Sequence, residues 1–194
     1  MNTYRRRVNL KKLFCFVIIL LFGIGLFFNK AYTEQNMPDV SWHHPTQIRT
    51  YIQPNHKYTD KMKRACHRWS VMTHNGIIFK YESFSANAQI KVIFVKSIPP
   101  EFNIDSAAGL TRYSYSLNNG QFRNAEIYIA DYTKYGKLTD DEVFTSMLHE
   151  LGHAIGLGHS NNPESIMYPN TSKVKTMEIS KEDLDLLAKK YNWK

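Results

Sequence analysis

Three histidines and one glutamate lie close together in the segment HELGHAIGLGHS, which runs from residue 149 to 160. On a helix, His149 and His153 are four residues apart and therefore project from the same face, about one turn from each other. Two imidazoles placed in this way can bind one metal ion. His159 is the candidate third ligand, because Gly156 can end the helix in a left-handed conformation and let the chain bring that ring back from another direction.

The chemistry that this spacing indicates is zinc-assisted hydrolysis. A catalytic zinc site usually has three protein ligands and one position open for water. Glu150 is rotated by about 100° from His149 on a helix, so its carboxylate can face that water instead of the metal. Zinc lowers the pKa of its bound water to about 7, and a carboxylate in reach can take the proton and pass it to a leaving amine. We therefore predict that Glu150 is the general base in the hydrolysis of a peptide bond.

Two other interpretations of the same residues remain open at this point. The five-residue pattern H-E-x-x-H also occurs in unrelated helices, but the added Gly156 and His159 disfavour a purely structural role. A zinc-stabilised surface module that binds peptides without cutting them is the alternative function. The presence of Glu150 argues against this module, because a protein that only binds peptides needs no base there.

The helix that carries these residues has a sequence signal at its start. Thr139, followed three residues later by Glu142, is a capping box in which the hydroxyl and the carboxylate satisfy free backbone amides reciprocally. We expect this helix to run to about Ile155. Gly152 lies inside it, where glycine costs about 1 kcal/mol relative to alanine. This cost indicates close packing of the helix against a neighbouring strand.

The chain around this helix contains further helix and strand signals. Apolar residues at helical spacing predict an amphipathic helix over residues 59–72, in which Cys66 is a small buried hydrophobic residue. A last helix is predicted to begin at Ser180, with Asp183 completing a second capping box. Short β-rich runs predict five strands, at residues 48–52, 77–81, 90–95, 109–115 and 125–130.

The positive charge of the chain is concentrated at its N-terminus. The formal net charge is +8, but the first thirty residues contain six basic and no acidic side chains, which leaves +2 for residues 31–194. The remainder shows no concentrated basic stripe of the kind that nucleic-acid binding requires. We therefore expect no nucleic-acid partner.

The N-terminal pattern predicts export with a membrane anchor. Residues 1–12 are basic, and residues 13–28 are uncharged and mostly apolar. As a helix, that apolar run covers roughly 24 Å, a little less than the roughly 30 Å hydrocarbon core. The positive-inside rule keeps residues 1–12 in the cytoplasm and the rest outside. A cleaved signal sequence with a secreted product is the alternative. Residues 29–46 are expected to be a linker, and residues 47–194 the catalytic domain.

A longer pattern strengthens the zinc interpretation and resembles a known group of enzymes. H-E-x-x-H-x-x-G-x-x-H, followed by a turn with Met167, is similar to the metzincin signature. Within that clan, Ser160 and the run from Met167 to Pro169 resemble the matrixins. The resemblance implies an α+β domain with a twisted, mostly parallel five-stranded sheet, one antiparallel edge strand at residues 109–115, two long helices and a C-terminal third helix.

The resemblance also implies roles for residues outside the motif. Met167 would form an apolar floor under the metal. Main-chain groups of the edge strand would bind an extended substrate. The residues expected to contact substrate are Gly109, Leu110 and Thr111 on the edge strand, and Tyr168, Pro169 and Asn170 in the pocket for the residue after the cut.

The chain also departs from the usual matrixin pattern. It has no histidine between His74 and His149, so we expect one catalytic zinc and no second, structural one. Residues 29–46 contain no cysteine, so we do not expect latency by a cysteine switch. Calcium sites are common in the family, but the spacing of the available oxygens does not indicate one here. Those oxygens belong to Asp105, Glu126 and Asp131. The protein is expected to be a monomer that acts on peptides or proteins.

Overall fold

The computed structural model describes residues 37–170 and 177–193. The segments predicted as a cytoplasmic basic region, 1–12, and as a membrane anchor, 13–28, lie outside the described residues. The first part of the predicted linker, residues 29–36, also lies outside them. Among the described residues, no helix has the length and apolar character needed to cross a membrane.

In the described part of the chain, five strands form one sheet in the order β2-β1-β3-β5-β4. Neighbours are parallel except that β4 runs antiparallel to β5 and occupies one edge. A two-stranded hairpin, β6–β7, which the sequence did not predict, follows β5. The strands are β1 (Ile48–Ile52), β2 (Phe79–Tyr81), β3 (Ile90–Val95), β4 (Gly109–Tyr115), β5 (Phe122–Ala130), β6 (Tyr132–Thr133) and β7 (Gly136–Lys137).

Three α-helices complete the described fold and confirm the predicted α+β class. They are α1 (Thr59–Met72), α2 (Asp140–Ala154) and α3 (Lys181–Tyr191). Both predicted capping boxes are present, at Thr139 for α2 and at Ser180 for α3. Each box satisfies backbone N–H groups that have no partner within the helix, so the start of each helix is determined locally.

The core lies between the sheet and the two long helices. Alternate residues of β3 are buried, as expected for a strand that covers a core with one face. Helix α1 buries Cys66, as predicted, together with Trp69. The indole Nε1 of Trp69 donates to the Leu148 carbonyl oxygen at 3.0 Å and so joins α1 to α2. Helix α2 is buried over nearly its whole second half, which is where the histidine motif lies.

The packed domain begins earlier than the predicted boundary at residue 47. Val40 and Trp42 are buried in the core, although both belong to the segment interpreted as a linker. The indole Nε1 of Trp42 donates to the Ala154 carbonyl oxygen at 2.8 Å. Ser41 also forms a bridge with Gln121, beside β5. The sequence did not indicate that this segment is packed, because residues 29–46 are mostly polar. A single buried indole at the end of a helix also leaves no periodic pattern.

Candidate active site

The last two turns of α2 carry the first two histidines, and Gly156 lets the chain leave the helix axis. Gly156 has φ = 106°, a backbone conformation that residues other than glycine rarely adopt. A Cβ atom at this position would also lie 2.7 Å from the Val40 carbonyl oxygen. The helix therefore ends where the sequence predicts, and His159 returns towards His149 instead of continuing along the helix.

Backbone carbonyl groups orient two of the three imidazole rings. His149 Nδ1 lies 2.8 Å from the Ile166 carbonyl oxygen, and His153 Nδ1 lies 2.8 Å from that of Leu157. A carbonyl oxygen only accepts hydrogen bonds, so Nδ1 carries the proton and donates in both rings. The neutral ring then presents a bare lone pair at Nε2, which is the form that binds a metal.

The Nε2 atoms of all three rings converge on one point. His149 Nε2 is 3.1 Å from His153 Nε2 and 3.2 Å from His159 Nε2. His149 and His153 cannot hydrogen-bond each other through these atoms, since both present a lone pair. Zinc–nitrogen bonds of 2.0–2.1 Å in a tetrahedral site place the ligand nitrogens about 3.3 Å apart. The three histidines therefore fit a zinc ion in ligand type, number and spacing.

The electrostatics of the site favour the uncharged rings. Burial, opposed by the hydrogen bond to the Ile166 carbonyl oxygen and assisted by the neighbouring His159, lowers the pKa of His149 to about 4. Burial also lowers the pKa of His153 well below its usual 6.5, and the pKa of His159 in the same direction. All three rings are therefore free of the extra proton at neutral pH, so no proton has to be displaced before a cation binds.

Glu150 lies beside the histidines and faces the edge strand β4. The Thr111 hydroxyl Oγ1 is 2.6 Å from Glu150 Oε2. A Cβ atom added at Gly109 would lie 2.6 Å from Glu150 Cγ, so a side chain at position 109 would collide with the glutamate. The resemblance implied that Gly109 and Thr111 contact substrate through the main chain. The structure adds a contact of the Thr111 side chain with Glu150 that sequence spacing did not reveal.

Met167 is buried directly behind α2. A Cβ atom added at Gly152 would collide with Met167 Sδ and would lie 3.4 Å from Trp69 Cζ2. The expectation that Gly152 packs against a strand is therefore wrong, because its neighbours are Met167 and a residue of α1. The glycine lets the turn that carries Met167 approach the helix beside the histidines.

Asp183 holds this turn in place. Its Oδ1 accepts a hydrogen bond of 2.5 Å from the Ser165 hydroxyl, and Ser165 Oγ in turn accepts one of 2.9 Å from the Met167 backbone N–H. Ser160 N–H donates to the Met167 carbonyl oxygen at 2.9 Å. The sequence identified Asp183 only as a helix cap, and no sequence signal pointed to its second role.

The remaining candidate residues lie on either side of the histidines in the chain. Leu110 is half-buried on β4, whose one strand partner among the described residues is β5. Beyond Met167, the half-buried Tyr168 is followed by Pro169 and Asn170, which are both exposed.

The three acids considered for calcium each lie beside a lysine. Lys134 is 3.2 Å from Asp105, Lys57 is 2.8 Å from Asp131, and Lys91 is 3.8 Å from Glu126. Within residues 37–170 and 177–193, the side chains that could together hold a metal ion are those of the histidine triad.

Comparison with known proteins agrees with this geometry. The matrixin family model matches residues 35–192. Metalloendoproteinase 1 of Glycine max is 26% identical over 156 residues, which are 75% of this chain and 50% of that protein. Macrophage metalloelastase of Rattus norvegicus is 30% identical over 149 residues, 70% of this chain and 31% of that protein. Matrix metalloproteinase-26 of Homo sapiens is 28% identical over 140 residues, 70% of this chain and 51% of that protein.

The chain spans about half or less of the length of these relatives, whereas the family model covers most of the chain. The buried histidine triad, the glycine that ends α2 and the methionine turn behind them all lie within the matched residues. The chain belongs to the matrixin family.

Proposed function

We propose that this protein is a zinc-dependent endopeptidase in which His149, His153 and His159 bind one zinc ion and Glu150 acts as the general base. The observation that carries the proposal is the convergence of the histidine Nε2 atoms beside the buried Glu150 carboxylate. Two of these rings are held by backbone carbonyl groups, so the site is organised before any ligand enters it. The matrixin membership and the metalloproteinase relatives support the same activity.

Glu150 performs the proton transfers in this proposal. When bound, zinc lowers the pKa of a water molecule and polarises the scissile carbonyl group. The Glu150 carboxylate takes the proton from the attacking water and later gives it to the leaving amine. The histidines remain neutral throughout, because burial holds their pKa values below the usual range.

The edge strand β4 is the proposed binding site for the substrate backbone. Its outer side has no partner strand among the described residues, and an extended peptide can add itself there by main-chain hydrogen bonds. Gly109, Leu110 and Thr111 would provide these contacts. Tyr168, Pro169 and Asn170, which follow Met167, would line the pocket for the residue after the cut, as the family resemblance implies.

Replacement of Glu150 tests the proposed base. The purified protein should cleave casein, and a zinc chelator should stop the cleavage. Glu150→Ala should abolish cleavage while bound zinc stays near one per chain. Glu101→Ala, at an exposed glutamate remote in sequence from the motif, should cleave as the wild type does. Cleavage by Glu150→Ala would refute the role of the base. Zinc and peptide binding without cleavage by the wild type would instead support the peptide-binding module.

We further propose that the catalytic domain works outside the cell, held there by residues 13–28. The basic residues before this run and its apolar composition support this location. Mass spectrometry of the mature protein should show that residues 13–28 are retained. A mature N-terminus near Ala31 or later would refute the anchor and would indicate a secreted enzyme.

A further inference from the structure

The edge strand β4 contacts Glu150 at two positions that share one face of the strand. Residues 109 and 111 are two apart, and side chains two apart in a strand point to the same side. Gly109 faces the Cγ and Oε1 atoms of Glu150, and a Cβ atom there would lie 2.6 Å and 2.7 Å from them. Thr111 faces the other carboxylate oxygen, Oε2, at 2.6 Å. The strand therefore leaves space for the glutamate at one position and binds it at the other.

The hydrogen bond from Thr111 has the features of a strong one. Glu150 is 4% exposed and Thr111 is 7% exposed, so water competes little for either group. A hydroxyl bound to a carboxylate at roughly 2.5–2.7 Å is a charge-assisted hydrogen bond, about twice as strong as a neutral one. The hydroxyl also lies 3.0 Å from the Glu150 backbone carbonyl oxygen, but its one proton favours the shorter contact with the charged group.

This hydrogen bond restricts a torsion that is otherwise loose. The terminal torsion of a glutamate side chain has a broad energy minimum, so the carboxylate plane is poorly determined unless a partner holds one oxygen. Threonine is branched at Cβ and stiff about χ1, so its hydroxyl is a rigid donor. With Oε2 held by Thr111, the orientation of Oε1 is determined as well.

We propose that Thr111 is a positioning residue that orients the Glu150 carboxylate for proton transfer. The inference rests on the proposed function, since it assumes that Glu150 is the base. Thr111 acts here through its side chain, in addition to the main-chain contacts with substrate expected from its place on β4. Because the hydroxyl aligns the base and does not bind the peptide, its loss should lower kcat much more than it changes KM.

Two variants of Thr111 test the activity. Thr111→Val keeps the branched shape but removes the donor, and its kcat on a fluorogenic peptide should fall by about 10- to 100-fold with KM nearly unchanged. Thr111→Ser keeps the donor and should recover most of the lost kcat. Thr50→Val is the matched control, since Thr50 is a buried threonine of the same sheet whose hydroxyl bonds a backbone carbonyl oxygen, that of Ile48, at 3.0 Å. Its kcat should equal that of the wild type.

A second measurement uses the metal-free protein and does not depend on activity. Thermal unfolding is recorded in chelator for Thr111→Val, Glu150→Ala and the double variant. Residues in direct contact give non-additive effects in such a cycle, so the double variant should lose less Tm than the sum of the single losses. The cycle with Thr50→Val in place of Thr111→Val should be additive.

The outcomes separate this inference from the proposed function. A wild-type protein that does not cleave peptides would refute the proposed function, while coupling in the metal-free cycle would still show that the two side chains interact. A wild type that cleaves, together with Thr111→Val at full kcat, would refute the positioning role alone. Additive unfolding temperatures for Thr111 and Glu150 would refute the side-chain contact itself. An equal loss of kcat in Thr111→Ser would also overturn the role of the hydroxyl donor.

Discussion

The hydroxyl of Ser165 donates a hydrogen bond of 2.5 Å to Asp183 Oδ1 and so joins the turn that carries Met167 to the start of α3. Asp183 is fully buried. Its second oxygen accepts hydrogen bonds from the Ile166 backbone N–H at 3.3 Å and from the Ser180 hydroxyl at 2.7 Å. One carboxylate thus caps a helix and holds the turn whose Ile166 carbonyl orients His149.

Replacing Asp183 should therefore destabilise the protein and disturb the metal site. We expect Asp183→Ala to lower the free energy of unfolding by about 2 to 4 kcal/mol, because it removes a cap and leaves several buried donors without an acceptor. Chemical denaturation measures this change. Asp185→Ala, on the exposed side of α3 and paired only with Lys181 in the described structure, should change stability by less than about 0.5 kcal/mol. Equal effects of the two variants would contradict the dual role of Asp183.

The third histidine should be required for zinc but not for the fold. His159 lies beyond the end of α2, so His159→Ala removes one proposed metal ligand without altering the helix. Bound zinc, measured by mass spectrometry of the metal, should fall from near one per chain to a small fraction, and helical circular dichroism should be retained. His67→Ala, at an exposed histidine of α1, should keep its zinc. Zinc retention by His159→Ala would argue against a three-histidine site.

The metal-free protein should lose stability as the pH falls below neutrality. Burial holds the pKa of His149 at about 4 and the pKa of His153 well below 6.5, whereas both groups in the unfolded chain titrate near 6.5. Between these values the unfolded chain binds protons that the folded protein does not, so stability is present above about pH 6.5 and declines towards pH 4.

Unfolding in chelator at a series of pH values measures this decline. His149→Gln should reduce the slope of stability against pH between pH 6.5 and 4. His67→Gln, at an exposed position, should leave the slope unchanged. A wild-type stability that rises on acidification through this range would contradict the buried, neutral state of the histidines.

Gly152 should resist replacement by alanine even though alanine is the better helix former by about 1 kcal/mol. The added Cβ atom would collide with Met167 Sδ, and overpacking of this kind costs about 1 to 3 kcal/mol. Gly152→Ala should therefore lower the unfolding midpoint. Met167→Ala should make the added methyl group at position 152 less costly, so the double variant should be more stable than additivity predicts. A stabilised Gly152→Ala single variant would contradict the close contact.

The features that the sequence predicted correctly are mostly local. The capping boxes at Thr139 and Ser180, the end of α2 before Gly156 and most strand bounds are consistent with the structure. Each depends on residues within about four positions of one another, where spacing translates directly into geometry. The start of the packed domain was predicted too late because Trp42 makes its contact with a residue 112 positions away.

The sequence by itself determined the chemistry of the site: three imidazoles and a carboxylate, with two of the rings on one helical face and the third returned by a glycine. Only the tertiary structure decided what surrounds them. Thr111 is 39 positions from Glu150, and Ser165 is 18 positions from Asp183. Such contacts follow from the strand order and from how the turns close over α2, and side-chain periodicity along the chain carries no information about either.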